Sequence, residues 1–286
     1  MKSADYKKIK PLVKPEEIFN LTGKVGVIVG GAGKMGRQFA EVLAQAGARV
    51  VIADLNNKAI NEALKTLSPD VKSKVVGFKC DVLKSDDIKK LFLFIRQHFG
   101  RLDFLINNTM GKPDDYYQTF ENYSLDSWKK VLDVNLTGPF LACREAIALM
   151  KKTGGGSIVM TASIYGVVGP DQRIYKDCAK SKNPYDSSFP LNAPGVYSAS
   201  KGGLISFSKY LATLLAPDNI RINVLTPGGV FDGQEEAFHE AYTARTPLGR
   251  MATWTDFNGA VLFLVSDASR YMTGSNLMID GGWTAW

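Results

Sequence analysis

The stretch that most constrains this chain runs from Val25 to Asp54 and has the pattern of strand, glycine loop, helix and strand. Val25–Val29 is a short apolar run of the kind that forms a buried parallel strand. From Met35 to Ala46, apolar residues recur at spacings of three and four, which predicts an amphipathic helix. A second apolar run, Arg49–Ala53, follows, and Asp54 closes the unit. Such a unit is typical of an α/β protein with a parallel sheet.

The loop between this strand and helix is rich in glycine and matches Gly31-x-Gly33-x-x-Gly36. In the dinucleotide-binding fingerprint of this form, the first glycine allows a tight turn and the second lets the backbone approach a pyrophosphate. The third lets the helix pack closely on the strand. The helix N-terminus would present free N–H groups to the phosphates. Asp54 follows at close to the usual separation of about 20 residues for the acid that binds a ribose diol. The pattern favours a dinucleotide site, and a glycine turn in an unrelated α/β protein is the alternative.

The remaining chain alternates between strand-length apolar runs and helical patterns. Strands are predicted at Val75–Phe78, Leu102–Ile106, Ser157–Thr161, Ile220–Leu225 and Leu277–Ile279. Helices are predicted at Ala59–Leu67, Asp86–Phe99, Leu125–Met150 (interrupted near Gly138-Pro139), Val196–Leu215 and Asp256–Val265. This alternation predicts one doubly wound parallel sheet with helices on both faces. We expect residues 1–22 to form an N-terminal extension, residues 23–286 one domain, and residues 230–250 a polar, mobile loop.

The net charge is +7, from 35 basic and 28 acidic residues among 286. A basic excess can mark a nucleic-acid binder, but no block of about five or six like charges and no zinc-ligand spacing accompanies it. We therefore expect no nucleic-acid partner and, at most, a site that accepts anionic small molecules.

Three cysteines, Cys80, Cys143 and Cys178, are scattered without paired spacing, which is typical of the reducing cytoplasm. His98 and His239 are the only histidines and lie far apart, so no metal site is expected. No run approaches the roughly 18 to 20 apolar residues of a membrane span, and the N-terminus lacks the apolar core of a signal peptide. We expect a soluble, cytoplasmic protein without a membrane partner.

Polar residues follow four of the predicted strands, namely Asp54, Asp81, Asn107 and Ser163. Ligands of parallel α/β sheets bind at the carboxyl ends of the strands. We therefore expect these four side chains to lie along one edge of the sheet, where a bound ligand would meet them.

Tyr197 and Lys201 are four residues apart on a predicted helix and therefore share a face. A tyrosine with a pKa near 10 is a poor base at neutral pH. A lysine ammonium at about 4 Å contributes about 4 kcal/mol at an effective dielectric constant near 20, which corresponds to about 3 pKa units. The pair could act as an acid or base, although this spacing also occurs on ordinary surface helices.

Taken together, Asn135, Ser163 and Tyr197-x-x-x-Lys201 downstream of the glycine loop resemble the short-chain dehydrogenase/reductase family. Further matches follow in the family's order within residues 22–286, at Asp81-Val82, Asn107-Asn108, Pro227-Gly228 and Asp280-Gly281-Gly282. The resemblance implies a Rossmann fold, a nicotinamide dinucleotide cofactor, a small-molecule substrate and a homotetramer.

The resemblance also implies a role for each matching residue. Tyr197 would exchange a proton with the substrate, and Lys201 would lower the pKa of Tyr197 and hold the nicotinamide ribose. Ser163 would hydrogen-bond the substrate oxygen, and Asn135 would fix a helix irregularity and a water in a proton relay. The implied cofactor contacts are Gly30, Gly31, Gly33, Lys34, Met35, Gly36, Asp54, Asp81, Val82, Asn107, Tyr197, Lys201, Pro227, Gly228 and Val230.

The sequence departs from the family pattern at several positions. Val29 replaces the usual threonine of the glycine loop. Lys34 replaces its middle glycine, and this side chain would either contact phosphate or point to solvent. Thr109-Met110 replaces the Ala-Gly after the paired asparagines. Asp232 replaces the threonine that follows the Pro-Gly turn, which puts one contact to the nicotinamide carboxamide in doubt.

The cofactor is predicted to be NAD because of Asp54. A carboxylate at this position accepts two ribose hydroxyls and repels a 2′-phosphate. Two basic residues nearby, Arg37 and Lys34, keep NADP as the alternative.

Residues 169–194 form an insertion, because Ser163 and Tyr197 are separated by more residues than the family commonly has. The insertion is either a solvated loop or subunit contact, or a wall of the substrate pocket that reads polar groups. The polar residues that it offers are Asp171, Arg173, Tyr175, Lys176, Lys180 and Lys182, and a second loop offers Arg245 and Arg250.

More loosely, Arg173-x-Tyr175 and the stretches 225–230, 246–251 and 281–284 are similar to a bacterial subgroup associated with surface-sugar and flagellin-glycan synthesis. The subgroup implies an oxidoreductase that transfers a hydride between the dinucleotide and a hydroxyl or ketone. The substrate would be a sugar, sugar phosphate or nucleotide sugar. The alternatives are a 3-oxoacyl reductase acting on acyl carrier protein or CoA thioesters, and a dinucleotide-binding regulator without turnover.

The implied homotetramer would use the helices Leu125–Met150 and Val196–Leu215 together with the C-terminal tail. Trp283 and Trp286 in that tail are apolar enough for a subunit contact. The alternative is that the tail folds back on its own subunit.

Overall fold

The computed structural model of the protein describes residues 14–175 and 192–286. Within these residues, parallel strands form one seven-stranded sheet in the order β3-β2-β1-β4-β5-β6-β7. The strands are β1 Val25–Val29, β2 Arg49–Asp54, β3 Val75–Lys79, β4 Phe104–Asn107, β5 Gly156–Thr161, β6 Ile220–Pro227 and β7 Asn276–Ile279. The predicted doubly wound α/β sheet is confirmed.

Helices flank the sheet on both faces. They are α1 Pro15–Ile18, α2 Lys34–Gln45, α3 Asn57–Thr66, α4 Ser85–Phe99, α5 Leu125–Leu132, α6 Gly138–Thr153, α7 Gly195–Leu215, α8 Glu236–Thr243 and α9 Asn258–Val265. One buried cluster joins α4, α6 and α7 to the sheet, and a second joins α2, α3 and α9 to the other face. In β1, Val27 and Val29 belong to the first cluster and Ile28 to the second, as the alternation of a strand requires.

The stretch 125–150, predicted as one or two helices interrupted near Gly138-Pro139, forms two helices, α5 and α6. They are joined by a π turn at Asp133–Thr137, directly before Gly138. Pro139 lies in the first turn of α6, where its missing N–H costs no helical hydrogen bond. The fully buried Asn135 lies within the π turn.

The segment expected to be a mobile loop, residues 230–250, contains α8. Phe238 and Tyr242 are four residues apart and give this short helix an apolar face. Tyr242 stacks on the buried Trp283, with ring centroids 4.2 Å apart. The C-terminal tail therefore folds back on its own subunit at Trp283, whereas Trp286 remains exposed.

The hydrophobic core begins before residue 23. Leu21 is buried in the cluster that contains α2, and its N–H donates to the carbonyl of Ala46 at 2.8 Å. The segment before Leu21 holds the one-turn helix α1, none of whose residues is buried.

The predicted insertion is described only at its two ends, which hydrogen bonds hold together. The Gln172 side chain donates to the Ala193 carbonyl at 3.0 Å and accepts the Ala193 N–H at 3.3 Å. Asn192 Nδ2 donates to the carbonyl of Tyr117 at 2.9 Å. Lys176, Cys178, Lys180 and Lys182 lie outside the described residues.

No helix in the described parts of the chain is long and apolar enough to cross a membrane.

Candidate active site

The carboxyl ends of the central strands border a cavity of about 610 Å³. The strand order changes direction between β1 and β4, and α/β sheets bind ligands at such a switch point. The predicted site residues that line the cavity are Gly30, Gly33, Lys34, Met35, Asp54, Asp81, Val82, Tyr197, Lys201 and Pro227. The remaining predicted residues lie behind or beside this lining.

The glycine loop owes its turn to Gly30, whose φ is 78°. A Cβ on Gly30 would lie 2.6 Å from the Asn108 carbonyl oxygen, and one on Gly36 would lie 2.7 Å from the Gly30 carbonyl oxygen. Gly31 also allows the tight turn, as predicted, because a Cβ on it would lie 2.7 Å from the Ile28 carbonyl oxygen. Gly31 is needed for packing, since its Cβ would lie 2.9 Å from Cβ of Ile52 in β2.

Asp54 ends β2 at the wall of the cavity and is held by backbone N–H groups. Its two carboxylate oxygens accept hydrogen bonds from the Ala32 N–H and the Asn56 N–H, each at 3.2 Å. Arg37 Nε donates to the carbonyl of Ala32 at 2.8 Å. The carboxylate is therefore fixed against the glycine loop, where it could accept hydroxyl donors from a ligand.

Lys34 is the first residue of α2 and forms an ion pair with Asp232, which is distant in sequence. Its ammonium also lies 5.8 Å from the centroid of the Trp254 ring. The sequence left open whether the Lys34 side chain contacts phosphate or points to solvent, and neither alternative included Asp232 or Trp254.

The paired asparagines after β4 take different places. Asn107 is buried, and its Nδ2 faces Cys143 Sγ at 3.5 Å and Met160 Sδ at 3.3 Å. Asn108 lines the cavity and donates to the Gly30 carbonyl at 3.2 Å. The residue that meets the cavity is thus Asn108, whereas Asn107 is the buried last residue of β4.

Pro227, the last residue of β6, lines the larger cavity, whereas Gly228 borders a smaller pocket of about 130 Å³. Val230 forms a bridge with Ala252 and packs against the core. Neither Gly228 nor Val230 belongs to the lining of the larger cavity.

The side chain of Ser163 interacts with Tyr197 closely enough to lower the pKa of the tyrosine hydroxyl. Ser163 follows β5, and its Oγ accepts the N–H of Tyr165 at 3.2 Å, which leaves the hydroxyl proton free to donate. Burial raises the pKa of Tyr197, and the interaction with Ser163 opposes that rise. Tyr197 is therefore protonated at neutral pH.

Lys201 lies one helical turn after Tyr197 and is buried. Its Nζ donates to the carbonyls of Thr161 at 2.9 Å and Thr109 at 3.4 Å, and lies 5.8 Å from the centroid of the Tyr197 ring. Burial lowers the pKa of Lys201 to about 8. That Lys201 lowers the pKa of Tyr197 stays a prediction.

Asn135 connects the π turn to the tyrosine helix. Its Oδ1 accepts the N–H of Gly111 at 2.8 Å, and its Nδ2 donates to Ser200 Oγ at 3.0 Å. Ser200 Oγ in turn donates to the carbonyl of Tyr197 at 2.8 Å. The chain of hydrogen bonds fixes the segment that carries Tyr197 and requires the helix irregularity that the sequence interpretation assigned to Asn135.

On the other side of Tyr197, aromatic side chains lead towards an ion-pair cluster. Burial raises the pKa of Tyr165, Tyr175 beside it opposes that rise, and both Tyr197 and Asp171 add to it. Asp171 pairs with Arg173 at 2.9 Å and with Arg245 at 2.5 Å. The hydrogen bonds from Arg173 lower the pKa of Asp171. The insertion and the second loop therefore meet through one shared carboxylate.

Arg250 was predicted to serve beside Arg245, but it is engaged elsewhere. Its guanidinium forms a two-pronged ion pair with Asp256, with distances of 2.7 Å and 2.9 Å. The Asp256 carboxylate also caps the turn at Thr253. Arg250 is thus a structural residue at the surface.

Two family models together match nearly the whole chain. Residues 24–181 match the model described as short chain dehydrogenase. The chain belongs to the short-chain dehydrogenase family. Residues 185–284 of this dehydrogenase match the model described as Enoyl-(Acyl carrier protein) reductase.

Relatives of this family member differ in substrate. A sorbose reductase from Candida albicans is 31% identical over 274 residues, covering 94% of this chain and 89% of the relative. A human 3-oxoacyl-[acyl-carrier-protein] reductase is 32% identical over 260 residues, covering 91% and 97%. The bacterial surface-sugar subgroup is not distinguished by these matches.

A solved structure is similar over nearly its whole length. The short chain dehydrogenase from Leptospira borgpetersenii serovar Hardjo-bovis (strain JB197), with bound NAD+, has a TM-score of 0.80 and 34% identity. The similarity covers 96% of this chain and 98% of the other. The family binds nicotinamide dinucleotides, and the residues that line this cavity can be compared with the groups of such a cofactor.

The residues present fit a dinucleotide. Gly33 leaves open space above the loop, since a Cβ there would find its nearest neighbour, the Gly30 carbonyl oxygen, at 3.7 Å. Gly33 and Lys34 bring the N-terminus of α2 to the cavity, where free N–H groups suit phosphates. Asp54 suits a ribose diol, and Asp81-Val82 lines the end of the cavity beside it.

Sequence reasoning missed several residues of the site. Asn108 and Trp254 line the cavity, as do Thr109 and Met110, which the sequence had marked as a departure from the family pattern. Asn108 could have been found from the pairing of asparagines after β4, since both follow a strand end. No local signal marks Trp254, which reaches the cavity only through folding.

Proposed function

We propose that this dehydrogenase is an NAD-dependent oxidoreductase that interconverts a hydroxyl and a ketone on an uncharged, polyhydroxylated substrate such as a sugar or polyol. The observation that carries the proposal is that Tyr197, Lys201 and Asp54 line one cavity. A proton donor, a buried ammonium and a site for a ribose diol thereby border one space, and Ser163 interacts with Tyr197 beside it.

The proton chemistry follows from the environment of Tyr197. Its hydroxyl is protonated at neutral pH, so it is ready to give a proton to a ketone oxygen in the direction of reduction. Ser163 donates to the same oxygen and stabilises the charge that develops there. A bound nicotinamide dinucleotide would supply or accept the hydride. In the direction of oxidation, Tyr197 must first lose its proton, so oxidation is expected to need higher pH.

Lys201 and Asn135 support this chemistry without exchanging the substrate's proton. The Lys201 ammonium is anchored to the carbonyls of Thr161 and Thr109 at the cavity wall, where it can donate to a ribose hydroxyl. Asn135 holds the start of the tyrosine helix through Ser200. Both residues fix geometry, which is where much of the rate enhancement of such sites arises.

Asp54 supports NAD as the cofactor. Its carboxylate is held in place by two N–H groups and faces the cavity, whereas Arg37 donates to the glycine loop at the Ala32 carbonyl. A 2′-phosphate near Asp54 would meet a fixed negative charge.

An uncharged substrate is favoured by the pairing of the arginines near Tyr197. Arg173 and Arg245 share the Asp171 carboxylate, and Arg250 is bound to Asp256. A substrate phosphate would have to approach the Asp171 carboxylate to reach either of the first two guanidinium groups. Uncharged hydroxyl groups could hydrogen-bond to this cluster of Arg173, Asp171 and Arg245 without electrostatic repulsion from the carboxylate. This favours sugars and polyols over sugar phosphates and nucleotide sugars. The sorbose reductase relative supports the same class.

A 3-oxoacyl reductase is the second candidate, favoured by the human relative and by an apolar cavity of about 1070 Å³ beside the insertion. That cavity is lined by Phe120, Leu125 and Trp128, which suit an acyl chain. Neither Ser163 nor Tyr197 lines it, so this cavity would hold the distal part of an acyl chain and not its ketone.

A substrate panel tests the proposal. NADH oxidation would be followed with free ketoses, ketose phosphates, nucleotide-linked keto sugars and a 3-oxoacyl thioester, using the wild type and Tyr197→Phe as the matched control. We expect the largest kcat/KM with a free ketose and at least about a hundredfold loss in the variant. Turnover confined to the acyl thioester would establish the second candidate, and tight NADH binding without turnover would indicate a regulator.

We also propose a homotetramer, based on apolar side chains exposed on α6 and α7. Phe140, Tyr210 and Leu214 are 45%, 61% and 53% exposed. Exposed large apolar side chains on neighbouring helices mark interaction surfaces. Light scattering of the wild type and of Tyr210→Glu would test it, with a tetramer expected for the first and a smaller species for the second. A monomeric wild type would contradict the proposal.

A further inference from the structure

Two departures from the family's sequence pattern are partners in the folded chain. Lys34 stands where the glycine loop usually has a glycine, and Asp232 stands where a threonine usually follows β6. They are 198 residues apart in sequence and form an ion pair. Each substitution introduces a charge, and the two charges neutralise each other.

The pair lies at the edge of the cavity. Lys34 lines it as the first residue of α2, and Asp232 follows β6 by five positions, on the segment that leads to α8. Trp254, which also lines the cavity, lies 5.8 Å from the Lys34 ammonium. The ion pair therefore ties the glycine loop to the segment after β6 across one side of the cavity.

The positive charge at this position could bind either the Asp232 carboxylate or the phosphates of a ligand. The N-terminus of α2 carries a partial positive charge, and its first turn contains no acidic residue. Lys34 adds a full positive charge there, and among the described residues Asp232 is the carboxylate that pairs with it. A diphosphate at the same helix end would be attracted to the Lys34 ammonium and would compete with Asp232 for it.

We propose that Asp232 and Lys34 form a clasp that the diphosphate of the dinucleotide opens, with Lys34 changing partner from Asp232 to phosphate. The inference rests on the dinucleotide site proposed above. Asp232 thereby competes with the cofactor and sets a limit on its affinity, which favours release after turnover. Lys34 is the affinity-determining residue, and Asp232 acts through it.

The size of the effect is limited by exposure. The Lys34 and Asp232 side chains are 59% and 41% exposed, so solvent and salt screen the pair. Exposed ion pairs of this kind change an equilibrium by about two- to fivefold. We therefore expect D232N to tighten NADH binding by about two- to fivefold and K34M to weaken it by at least as much.

A double-mutant cycle distinguishes the clasp from two independent residues. NADH dissociation constants would be measured by fluorescence for wild type, D232N, K34M and the double variant. Asp218→Asn is the matched control, because Asp218 pairs with Lys151 at 2.7 Å with similar exposure and lies outside the cavity lining. The clasp requires that D232N tighten binding only when Lys34 is present, and that the gain shrink at high salt.

Adenosine diphosphate is the second probe, because it carries the diphosphate but no nicotinamide. D232N should tighten its binding as it tightens that of NADH. A change confined to NADH binding would place Asp232 at the carboxamide and overturn the clasp. Equal tightening by D232N in the Lys34→Met background, or no tightening by D232N in the wild-type background, would also overturn it. If wild-type protein bound no NADH, the dinucleotide site itself would fail, and the clasp with it.

Discussion

Replacing Asp54 by asparagine should shift the cofactor preference of this protein from NADH towards NADPH. Asp54 is half-buried at the cavity wall and is fixed by the N–H groups of Ala32 and Asn56, so it cannot swing away from a 2′-phosphate. At about 5 Å and an effective dielectric constant near 20, a unit charge would repel it by about 3 kcal/mol. Screening at this exposure reduces the penalty to about 1.5 kcal/mol, or about tenfold in affinity.

The same change should weaken NADH binding. Hydrogen bonds to a charged group contribute about 1.5–3 kcal/mol, and an amide replaces one acceptor oxygen by a donor, so a loss of about tenfold is expected. Together the two effects change the NADH-to-NADPH affinity ratio by about a hundredfold. Fluorescence titration of both cofactors would measure it, with Asp218→Asn as the control for a surface charge. An unchanged ratio in D54N would refute the assignment of Asp54 as the residue that selects the cofactor.

Three further predictions concern the proton donor, the glycine loop and the buried lysine. Tyr197→Phe should lower kcat by about 10²- to 10⁴-fold while NADH still binds, and unchanged turnover would exclude Tyr197 as the acid. Gly36→Ala should cost about 1–3 kcal/mol in urea unfolding, because its Cβ would lie 2.7 Å from the Gly30 carbonyl oxygen. Gly259→Ala, whose Cβ would have nothing within 4 Å, is its control and should cost nothing. Burial lowers the pKa of Lys201 to about 8, so between about pH 8 and 10.5 the unfolded chain binds more protons than the folded protein. The free energy of unfolding of the wild type should therefore rise with pH across that window, relative to Lys201→Met, by up to about 3 kcal/mol.

The sheet and the position of the cavity could be predicted because their signals are local. The apolar run Val25–Val29, the glycines after it and Asp54 lie within one unit of the chain. The parallel order then brings the strand ends together, which is why Asp54 and Asp81 line one space. Predicting the positions of these residues required only hydrophobic periodicity, turn chemistry and chain order.

Contacts between distant segments could not be predicted from such patterns. The Lys34–Asp232 ion pair joins segments that no motif connects, although each residue was noticed as a departure. Lys201 shares a helix face with Tyr197, yet its ammonium is bound to the carbonyls of Thr161 and Thr109. Spacing fixes which side chains share a face, but the partner that each one chooses depends on the elements packed against that face.

The polar segment 230–250 was misjudged for a related reason. Its composition favours a loop, but Tyr242 finds a stacking partner in Trp283, which lies near the end of the chain. The helix α8 is thus stabilised by a tertiary contact and not by its own sequence.

The most direct measurement is the transfer of deuterium from NADH labelled at the transferable position of its nicotinamide ring to a free ketose. The wild type should place one deuterium on the new carbinol carbon of the product, and Tyr197→Phe should do so at least about a hundredfold more slowly. Bound NADH that delivers no deuterium to any ketose, while a 3-oxoacyl thioester becomes labelled, would contradict the assignment of a hydroxylated substrate. Delivery to neither would contradict the assignment of an oxidoreductase at this site.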